Sequence, residues 1–490
     1  MQILLSLIGR VDVMFYIFLS PKRLIWSLLT LCFLLSALQF LHSRKTIGSG
    51  QLWGSGVVLE PGALDLPSVD YPETDLPACT DRLGRAYLEN LRESRAQYCS
   101  PASPSQLMCF HSRTAPEGRL DSFCVGQNAV FNPYLGKFQL SCERVDPREV
   151  GSNQKAPTLD DFPTYWYHTG PRQVFNDFID LDAQVERNDE IERVIILVKR
   201  EGAGNIWHSL MEIMSTTMTL DVLQMTRSAG NQRRIINAED ALRTQVVIVD
   251  NYTDGPYFEL WRIWAKMPVV RLSDLSAGFN SSLVVVPLPG GSNPIWQADW
   301  EPTLCHHSDL LQTFASRVLQ HLNISDPLKL PDQVVVTIIE RKGTRKLIDL
   351  HARIEALRKE YQASEVLIQL VDFAALPLQE QIQIVRETDV LVGVHGAGLT
   401  HGLWLPQRSA MVEILPEDLQ HKGFRNLAGV LGHDYFSTHA SKRQTSSRGA
   451  NDNTWQVSDV ALDEERWLHL MNVAIKSMYN KGRHNFDVVK

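Results

Sequence analysis

The chain has 490 residues, of which 44% are hydrophobic and 21% are charged, as is usual for a globular protein of about two domains. Its formal net charge is -8, and no block of lysine and arginine stands out. This composition argues against a nucleic-acid-binding protein, which normally presents a basic face to phosphate groups.

The N-terminal region contains a long apolar segment. Residues 24–41 (LIWSLLTLCFLLSALQFL) carry no charge and directly follow Lys22 and Arg23. Such a segment predicts a short transmembrane helix, and the basic residues before it favour a cytosolic N-terminus. We therefore expect a cytosolic tail over 1–23, an anchor over 24–41 and a lumenal remainder, in a single-pass type II membrane protein. A cleaved signal peptide is the alternative.

Seven cysteines divide between the apolar segment and the rest of the chain. Cys32 lies within the segment, and six follow it: Cys79, Cys99, Cys109, Cys124, Cys142 and Cys305. An even number beyond a membrane anchor predicts disulfides in an oxidising compartment, although the pairing stays open. No C-x-x-C pair is present, so a zinc ribbon lacks its ligand spacing. Residues 42–75 are rich in Gly, Ser and Pro and predict a flexible stem.

From residue 192 onward, short apolar runs alternate with helical patterns, which is typical of parallel α/β layers. The predicted strands are 194–198, 245–249, 283–286, 334–339, 366–371, 390–394 and 411–415. The predicted helices lie near 206–224, 256–266, 347–360, 377–387 and 397–404. We expect an α/β fold with two facing Rossmann-like domains and a cleft between them. The N-terminal domain would span 76–290, including a cysteine-rich, loop-rich cap; the C-terminal domain would span 310–440, followed by a loop and helix over 441–490.

A glycine-rich turn follows the predicted strand at 390–394. The strand leads into His395, Gly396, Ala397 and Gly398, where a helix is expected to begin. Glycine lets a ligand approach the backbone closely, and the free N–H groups of a new helix favour phosphate. His395, at the carboxyl end of a strand, would face the same crevice. A tight turn with a core histidine is the alternative.

Two arginines, Arg341 and Arg345, follow the predicted strand at 334–339. At the carboxyl end of a strand both can point into the crevice and clamp a diphosphate through bidentate hydrogen bonds. A solvated basic turn is the alternative.

A third strand-to-helix junction carries candidate acid–base residues. His208 and Glu212 are four residues apart and share one helical face. Histidine titrates near neutral pH and a carboxylate can orient it, so the two are candidates for an acid–base dyad. Asp250, after the strand at 245–249, is an alternative base. A helix with a core histidine is the structural alternative.

Together these motifs resemble glycosyltransferase family 61. The family pattern G-N-x-x-H stands here at residues 204–208, R-x-x-x-R at 341–345, V-G-x-H-G-A-G-L-T-H at 392–401 and V-E-I-x-P at 412–416. The resemblance covers roughly half of the chain, residues 194–416, and is looser in the cysteine-rich region.

The resemblance implies an inverting GT-B enzyme that moves a sugar, N-acetylglucosamine or xylose, from a UDP-sugar to a hydroxyl of a glycoprotein or glycan. The donor-binding residues would be Arg341, Arg345, His395, Gly396, Ala397, Gly398, Thr400 and Glu413. His208, Glu212 and Asp250 remain the candidate bases. Because positive groups can stabilise a leaving diphosphate, no cofactor is expected. A divalent metal at the D-x-D pair Asp180 and Asp182 is the weaker alternative.

Two other classes compete with this interpretation. An esterase would need G-x-S-x-G around its nucleophile, and the sequence lacks it. A catalytically silent, lectin-like relative would be expected to lose its charged cleft residues, whereas both arginines and both motif histidines are present. Since the sequence ends FDVVK, without a K-D-E-L-like signal, we expect a Golgi membrane rather than retention in the endoplasmic reticulum.

Overall fold

The computed structural model describes residues 76–115, 118–150, 155–188, 190–228, 232–275, 282–297, 299–325, 333–441 and 454–480. Within these ranges, no helix combines the length and the apolar character needed to cross a membrane. The predicted tail, anchor and stem, and residues 442–453 and 481–490 of the predicted C-terminal loop and helix, lie outside the described residues.

The first β-sheet combines parallel and antiparallel strands. Its strands are β1 (Ala96–Gln97), β2 (Gln106–Ser112), β3 (Asp121–Asn132), β4 (Lys137–Gln139), β5 (Ile179–Asp180), β6 (Arg193–Val198), β7 (Thr244–Ile248), β8 (Val270–Arg271) and β9 (Ser282–Val286). The order is β1-β2-β3-β9-β6-β7-β8, with β4 paired to β3 and β5 to β4. Strands β9, β6, β7 and β8 are parallel, and β3 joins β9 in antiparallel fashion. The cysteine-rich region, predicted to be loop-rich, therefore contains strands that widen the parallel sheet.

The second sheet is entirely parallel. Its strands are β10 (Val334–Ile339), β11 (Val366–Val371), β12 (Val390–Val394), β13 (Ala410–Leu415) and β14 (Asp434–His439), in the order β11-β10-β12-β13-β14. Continuous apolar runs such as VVVTII suit parallel strands that are covered on both faces. The chain leaves β10 to one side to form β11 and then returns to the other side to form β12. The crevice between the ends of β10 and β12 is thus a topological switch point, where ligands bind in open α/β sheets.

Ten α-helices lie in the described ranges. They are α1 (Pro77–Leu83), α2 (Arg85–Glu93), α3 (Pro147–Val150), α4 (Pro171–Phe178), α5 (Ile206–Met225), α6 (Asp309–His321), α7 (Leu350–Glu360), α8 (Leu378–Arg386), α9 (Gly423–Val430) and α10 (Glu464–Asn480). The strand and helix predictions from residue 194 onward are confirmed with two exceptions. The helix predicted at 256–266 is wrong: a short 3-10 turn, Phe258–Arg262, stands between Pro256 and Pro268, and proline disfavours helix continuation. The helix after His395 is a 3-10 helix, Ala397–Trp404, whose glycines weaken α-helical propensity.

Helix α5 brings the carboxyl-end loops of both sheets together. Almost all of its side chains are buried, so it is a core helix rather than a surface one. Leu210 and Met214 of α5 belong to the same hydrophobic cluster as Leu399 and Leu403 of the 3-10 helix. The first turn of α5 and the turn after β12 therefore face a common crevice.

Three disulfides connect the six described cysteines, which confirms the expectation of an oxidised protein. They pair Cys79 with Cys305, Cys99 with Cys142 and Cys109 with Cys124. The first joins α1 to the segment that precedes α6. It is a long-range link, because 226 residues separate its two cysteines, whereas 15 separate Cys109 from Cys124.

The loop lengths predict unequal contributions to stability. Replacing both Cys79 and Cys305 by serine should lower the free energy of unfolding by about 5 kcal/mol, against about 3 kcal/mol for Cys109 and Cys124, because the longer loop restricts the unfolded chain more. Urea unfolding of the two double variants and the wild type measures this order. An equal or smaller loss for the long-range pair would contradict the loop-closure explanation.

Candidate functional site

Two guanidinium groups meet over the backbone of Gly396. A Cβ atom at this position would clash with Nη1 of Arg341 and lie 3.0 Å from Nη2 of Arg345. The φ angle of Gly396 is +149°, a conformation that side chains disfavour. Arg341 is further held by a 3.0 Å hydrogen bond from its Nε to the Thr344 carbonyl. The predicted strand-end arginines and glycine turn are therefore brought together.

The arginine pair is poorly solvated and carries uncompensated charge. Burial lowers the pKa of Arg341, and burial together with the charge of Arg341 lowers the pKa of Arg345 to about 10. Neither arginine forms an ion pair with any residue in the described part of the chain. Two cations beside free backbone N–H groups at a helix start form a site that favours an anion.

The rest of the predicted donor-binding turn divides between cleft and core. Ala397 and Gly398 line cavities at the start of the 3-10 helix. Thr400 is buried below this turn, and its Oγ1 has no hydrogen-bond partner within the described ranges. His401 is also buried: its Nε2 lies 2.6 Å from Oε1 of Gln381 and its Nδ1 lies 2.8 Å from the Gly398 carbonyl, and burial lowers its pKa to about 4.

His395 and Glu413 form a buried pair. Nδ1 of His395 lies 2.6 Å from Oε1 of Glu413, and the Tyr435 hydroxyl donates to Oε2 of the same carboxylate at 2.5 Å. Burial lowers the pKa of His395, and the Glu413 carboxylate opposes that shift. Glu413 is paired with Gly393 of β12 and Ser437 of β14, so His395 and Tyr435 are each two residues away from its direct neighbours and share its face of the sheet. Glu413 thus orients the imidazole.

A cavity of about 370 Å³, here named the histidine cavity, opens between the two sheets. Three histidines, His208, His395 and His421, line it together with Arg345 and Asp299. Its remaining walls are mostly aromatic and include Tyr167, Trp207, Trp296, Phe424 and Trp455.

His421 and Asp299 were not expected from the sequence. Nε2 of His421 lies 3.1 Å from Oδ2 of Asp299, and its Nδ1 accepts the N–H of Gly423 at 3.1 Å. The pair joins the segment that precedes α6 to the turn before α9. The two residues are 122 positions apart, so no local sequence pattern predicts that they form a pair.

A second cavity of about 370 Å³, here named the strand-end cavity, lies on the other side of Ala397. It is lined at the ends of β10 and β11 by Glu340, Arg341, Asp372 and Phe373, among others. Arg341 lines the strand-end cavity and Arg345 the histidine cavity, while Ala397 belongs to both. The anion site therefore separates two compartments of similar size.

His208 has a carboxylate partner other than the predicted one. Asn205 caps α5 by accepting the N–H of Trp207, which places His208 in the first turn at the histidine cavity. Its Nδ1 lies 3.2 Å from Oε2 of Glu201. Glu212, the expected partner, accepts the N–H of Glu201 instead and is buried on α5. The predicted dyad of His208 with Glu212 is thus not formed, because the loop after β6 inserts Glu201 beside the helix.

Asp250 is engaged in a buried ion pair. Its carboxylate accepts two side-chain hydrogen bonds from Arg200, one to each oxygen, at 2.8 and 3.1 Å. The exposed fractions of the two side chains are 2% for Arg200 and 6% for Asp250. Arg200 also binds carbonyl groups of residues 252–254 and so fixes the loop after β7. This environment is typical of a structural carboxylate.

The D-x-D pair lies at the edge of the first sheet. Asp182 forms an exposed ion pair with Arg144, and Asp180 accepts a long hydrogen bond from Gln139. No group of three or more His, Cys, Asp or Glu residues placed to hold a metal ion occurs within the described ranges.

Comparisons with known proteins find similarity over the part of the chain that contains this site. Residues 283–412, which contain the arginine pair and His395, match the family model described as Glycosyltransferase 61. An EGF domain-specific O-linked N-acetylglucosamine transferase of Drosophila melanogaster is 28% identical over 44% of this chain and 40% of its own length. The proteins of the same name from Canis lupus familiaris and Mus musculus are each 34% identical over 46% of this chain and 41% of theirs. The chain thus matches less than half of the length of these curated relatives.

A solved structure, a metal-soaked flavodiiron core from a Synechocystis species, covers 80% of this chain and 99% of its own. Its TM-score of 0.22 and identity of 8% are too low to indicate a common fold.

Fold and site define an α/β protein with an anion site at the switch point of a parallel sheet. Residues 283–412, which carry the strand-end arginines and the glycine turn, are similar to glycosyltransferase family 61. The resemblance predicted from the sequence is confirmed.

The geometry at Gly396 predicts that even a small side chain at this position disrupts ligand binding. Gly396→Ala should abolish the thermal stabilisation of the protein by UDP, because the new methyl group displaces both guanidinium groups and strains the backbone. Gly202→Ala is a matched control, since a Cβ there meets no atom within 4 Å and the residue lines neither cavity. Thermal unfolding with and without UDP measures the effect. Equal stabilisation of Gly396→Ala and wild type would contradict the proposed anion site.

Proposed function

We propose that this chain is an inverting glycosyltransferase of GT-B arrangement that binds a UDP-sugar across the junction of the two cavities. The observation that most supports this is the arginine pair over Gly396, between two compartments that share Ala397. A nucleotide sugar has the matching form, with a diphosphate between a nucleoside and a sugar. The leaving UDP would gain charge where Arg341, Arg345 and the N–H groups after Gly396 stand.

The two ends of the donor can be assigned to the two cavities. The nucleoside would occupy the strand-end cavity, where Phe373 offers an apolar surface and Asp372 and Glu340 offer acceptors. The sugar would then lie in the histidine cavity, beside His395 and its Glu413 support. This order places the anomeric carbon on the side that carries His208.

His208 is the candidate base that the geometry favours. Inversion by one displacement needs a base that accepts the proton of the acceptor hydroxyl. Of the three candidates, Asp250 is paired to Arg200 and Glu212 is buried on α5, whereas His208 lines the histidine cavity. His395 lies next to the arginine pair, so we assign it to the donor rather than to the acceptor.

The names of the relatives suggest the sugar and the acceptor. We propose N-acetylglucosamine as the transferred sugar and a hydroxyl on a protein domain as the acceptor, by similarity to transferases named as specific for EGF domains. Xylose transfer and a glycan acceptor are the alternatives. The arginine pair supplies positive charge at the leaving group, so we expect activity without a divalent metal.

The donor assignment is tested with the purified full-length protein and a panel of nucleotide sugars. UDP-N-acetylglucosamine should be hydrolysed slowly without acceptor, and the rate should persist in a chelator. UDP should raise the melting temperature more than GDP. No hydrolysis and no thermal shift with any nucleotide sugar would overturn the proposed function.

The base assignment predicts a separation of binding from chemistry. His208→Ala should lower the transfer rate by roughly a hundred- to ten-thousandfold, because the acceptor proton loses its base. Stabilisation by UDP should stay at the wild-type value, since UDP lacks the sugar that would lie in the histidine cavity beside His208. Arg345→Lys is the opposite control, expected to lose both, because lysine cannot reproduce the planar fork of donors. Near-wild-type transfer by His208→Ala would exclude it as the base.

We further propose a lumenal orientation behind an N-terminal membrane anchor in the Golgi. The three disulfides support an oxidising compartment. Residues beyond about position 42 should resist protease on intact microsomes and become sensitive once detergent is added. Digestion of the bulk of the chain without detergent would exclude this topology.

A further inference from the structure

We propose that Glu201, a residue outside the family motifs, is the positioning residue that orients His208 and stabilises its protonated form during transfer. This inference rests on the proposed function, with His208 as the acceptor-side base. It assigns the two neighbouring glutamates, Glu201 and Glu212, different charges and different roles.

Glu201 is fixed on both oxygens. Its carboxylate is buried, with Oε2 at 3.2 Å from Nδ1 of His208 and Oε1 accepting the N–H of Gly291 at 3.0 Å. Gly290 leaves the room for this arrangement, since a Cβ there would lie 3.0 Å from Oε1 of Glu201 and 2.7 Å from Cγ of Glu212. A carboxylate held in this way can accept the imidazole N–H in only one orientation of the ring.

The contact with Glu201 decides which nitrogen of His208 is basic. A nitrogen bonded to a carboxylate carries the proton, so Nδ1 donates and Nε2 keeps the lone pair. The edges of Tyr167 and Trp296 contact the ring at centroid distances of 5.0 and 4.5 Å and prevent it from rotating. The exposed part of the ring lines the histidine cavity, where the acceptor hydroxyl would bind.

Glu212 forms a hydrogen bond with the backbone of Glu201 but differs from it in charge. Its Oε1 accepts the backbone N–H of Glu201 at 2.7 Å, and its Oε2 has no partner within the described ranges. Burial first, and then the charge of Glu201, raise the pKa of Glu212 well above its usual range. Beside Glu212 lies a cavity of about 20 Å³, which is room for one water molecule. The structure therefore favours a neutral Glu212 and an ionised Glu201.

Other charged groups bear on the same imidazole. Arg345, His395, His421 and Asp299 line the histidine cavity opposite His208. Behind Glu201, Arg200 is already paired with Asp250 and so does not neutralise it. Glu201 is thus the carboxylate in direct contact with His208. Removing it should therefore change catalysis through its effect on the His208 ring.

The test compares Glu201→Gln with Glu212→Gln, two equal changes of shape in one pocket. Glu201→Gln should lower kcat roughly ten- to hundredfold with an unchanged KM for the donor, because the imidazolium formed in transfer loses its counter-charge. Nitrogen NMR of the His208 ring should place the proton on Nδ1 in the wild type and divide it between the two nitrogens in Glu201→Gln, since the carboxylate selects one tautomer. Glu212→Gln should keep the tautomer of the wild type and most of kcat.

Several outcomes would overturn the inference. They are a Glu201→Gln variant with the kcat and the His208 tautomer of the wild type, or equal losses of kcat in both variants with an unchanged tautomer, which would indicate a structural role alone. If Glu201→Gln does not fold, nitrogen NMR of the wild-type His208 ring decides: the proton should be on Nδ1 near neutral pH, and a proton on Nε2 would refute the proposal. Loss of the proposed function is separable, because the wild type would then hydrolyse no donor.

Discussion

Two positive charges stand side by side over Gly396, and nothing in the described part of the chain neutralises them. Like charges at this distance repel, and burial removes part of the water that would screen them. Packed elements hold the surrounding backbone in place: β10 ends two residues before Arg341, β12 ends two residues before Gly396, and α5 packs against the 3-10 helix. The free protein thus keeps a site that an anion would stabilise.

In the cleft around these two charges, three histidines each contact a carboxylate. The pairs are His208 with Glu201, His395 with Glu413 and His421 with Asp299. Each pair belongs to a different part of the chain: the loop and helix after β6, the centre of the second sheet, and the connecting segment with the turn before α9. Oriented imidazoles therefore reach the histidine cavity from several directions, and the aromatic walls hold them in place.

Local sequence was sufficient for β10 to β13 of the second sheet and for the arginine pair, but not for β14, an edge strand that is less buried and more polar. Runs such as VVVTII have few alternatives to a buried parallel strand, and residues at parallel strand ends share an edge by necessity. Partners set by tertiary packing could not be predicted. Helical spacing suggested Glu212 for His208, but the loop that carries Glu201 approaches from outside the helix. No local sequence pattern predicts the pairing of Asp299 with His421 or of Cys79 with Cys305 either.

The link between Cys79 and Cys305 has a consequence for synthesis. A ribosome delivers the chain from its N-terminus, so α1 and most of the first sheet emerge long before the sulfur that α1 must meet. During that interval Cys79 is an unpaired thiol among Cys99, Cys109, Cys124 and Cys142, any of which is a wrong partner close at hand. Thiol–disulfide exchange, which can undo early mispairing, would therefore contribute more to the maturation of this pair than to that of Cys109 with Cys124, whose partners emerge together.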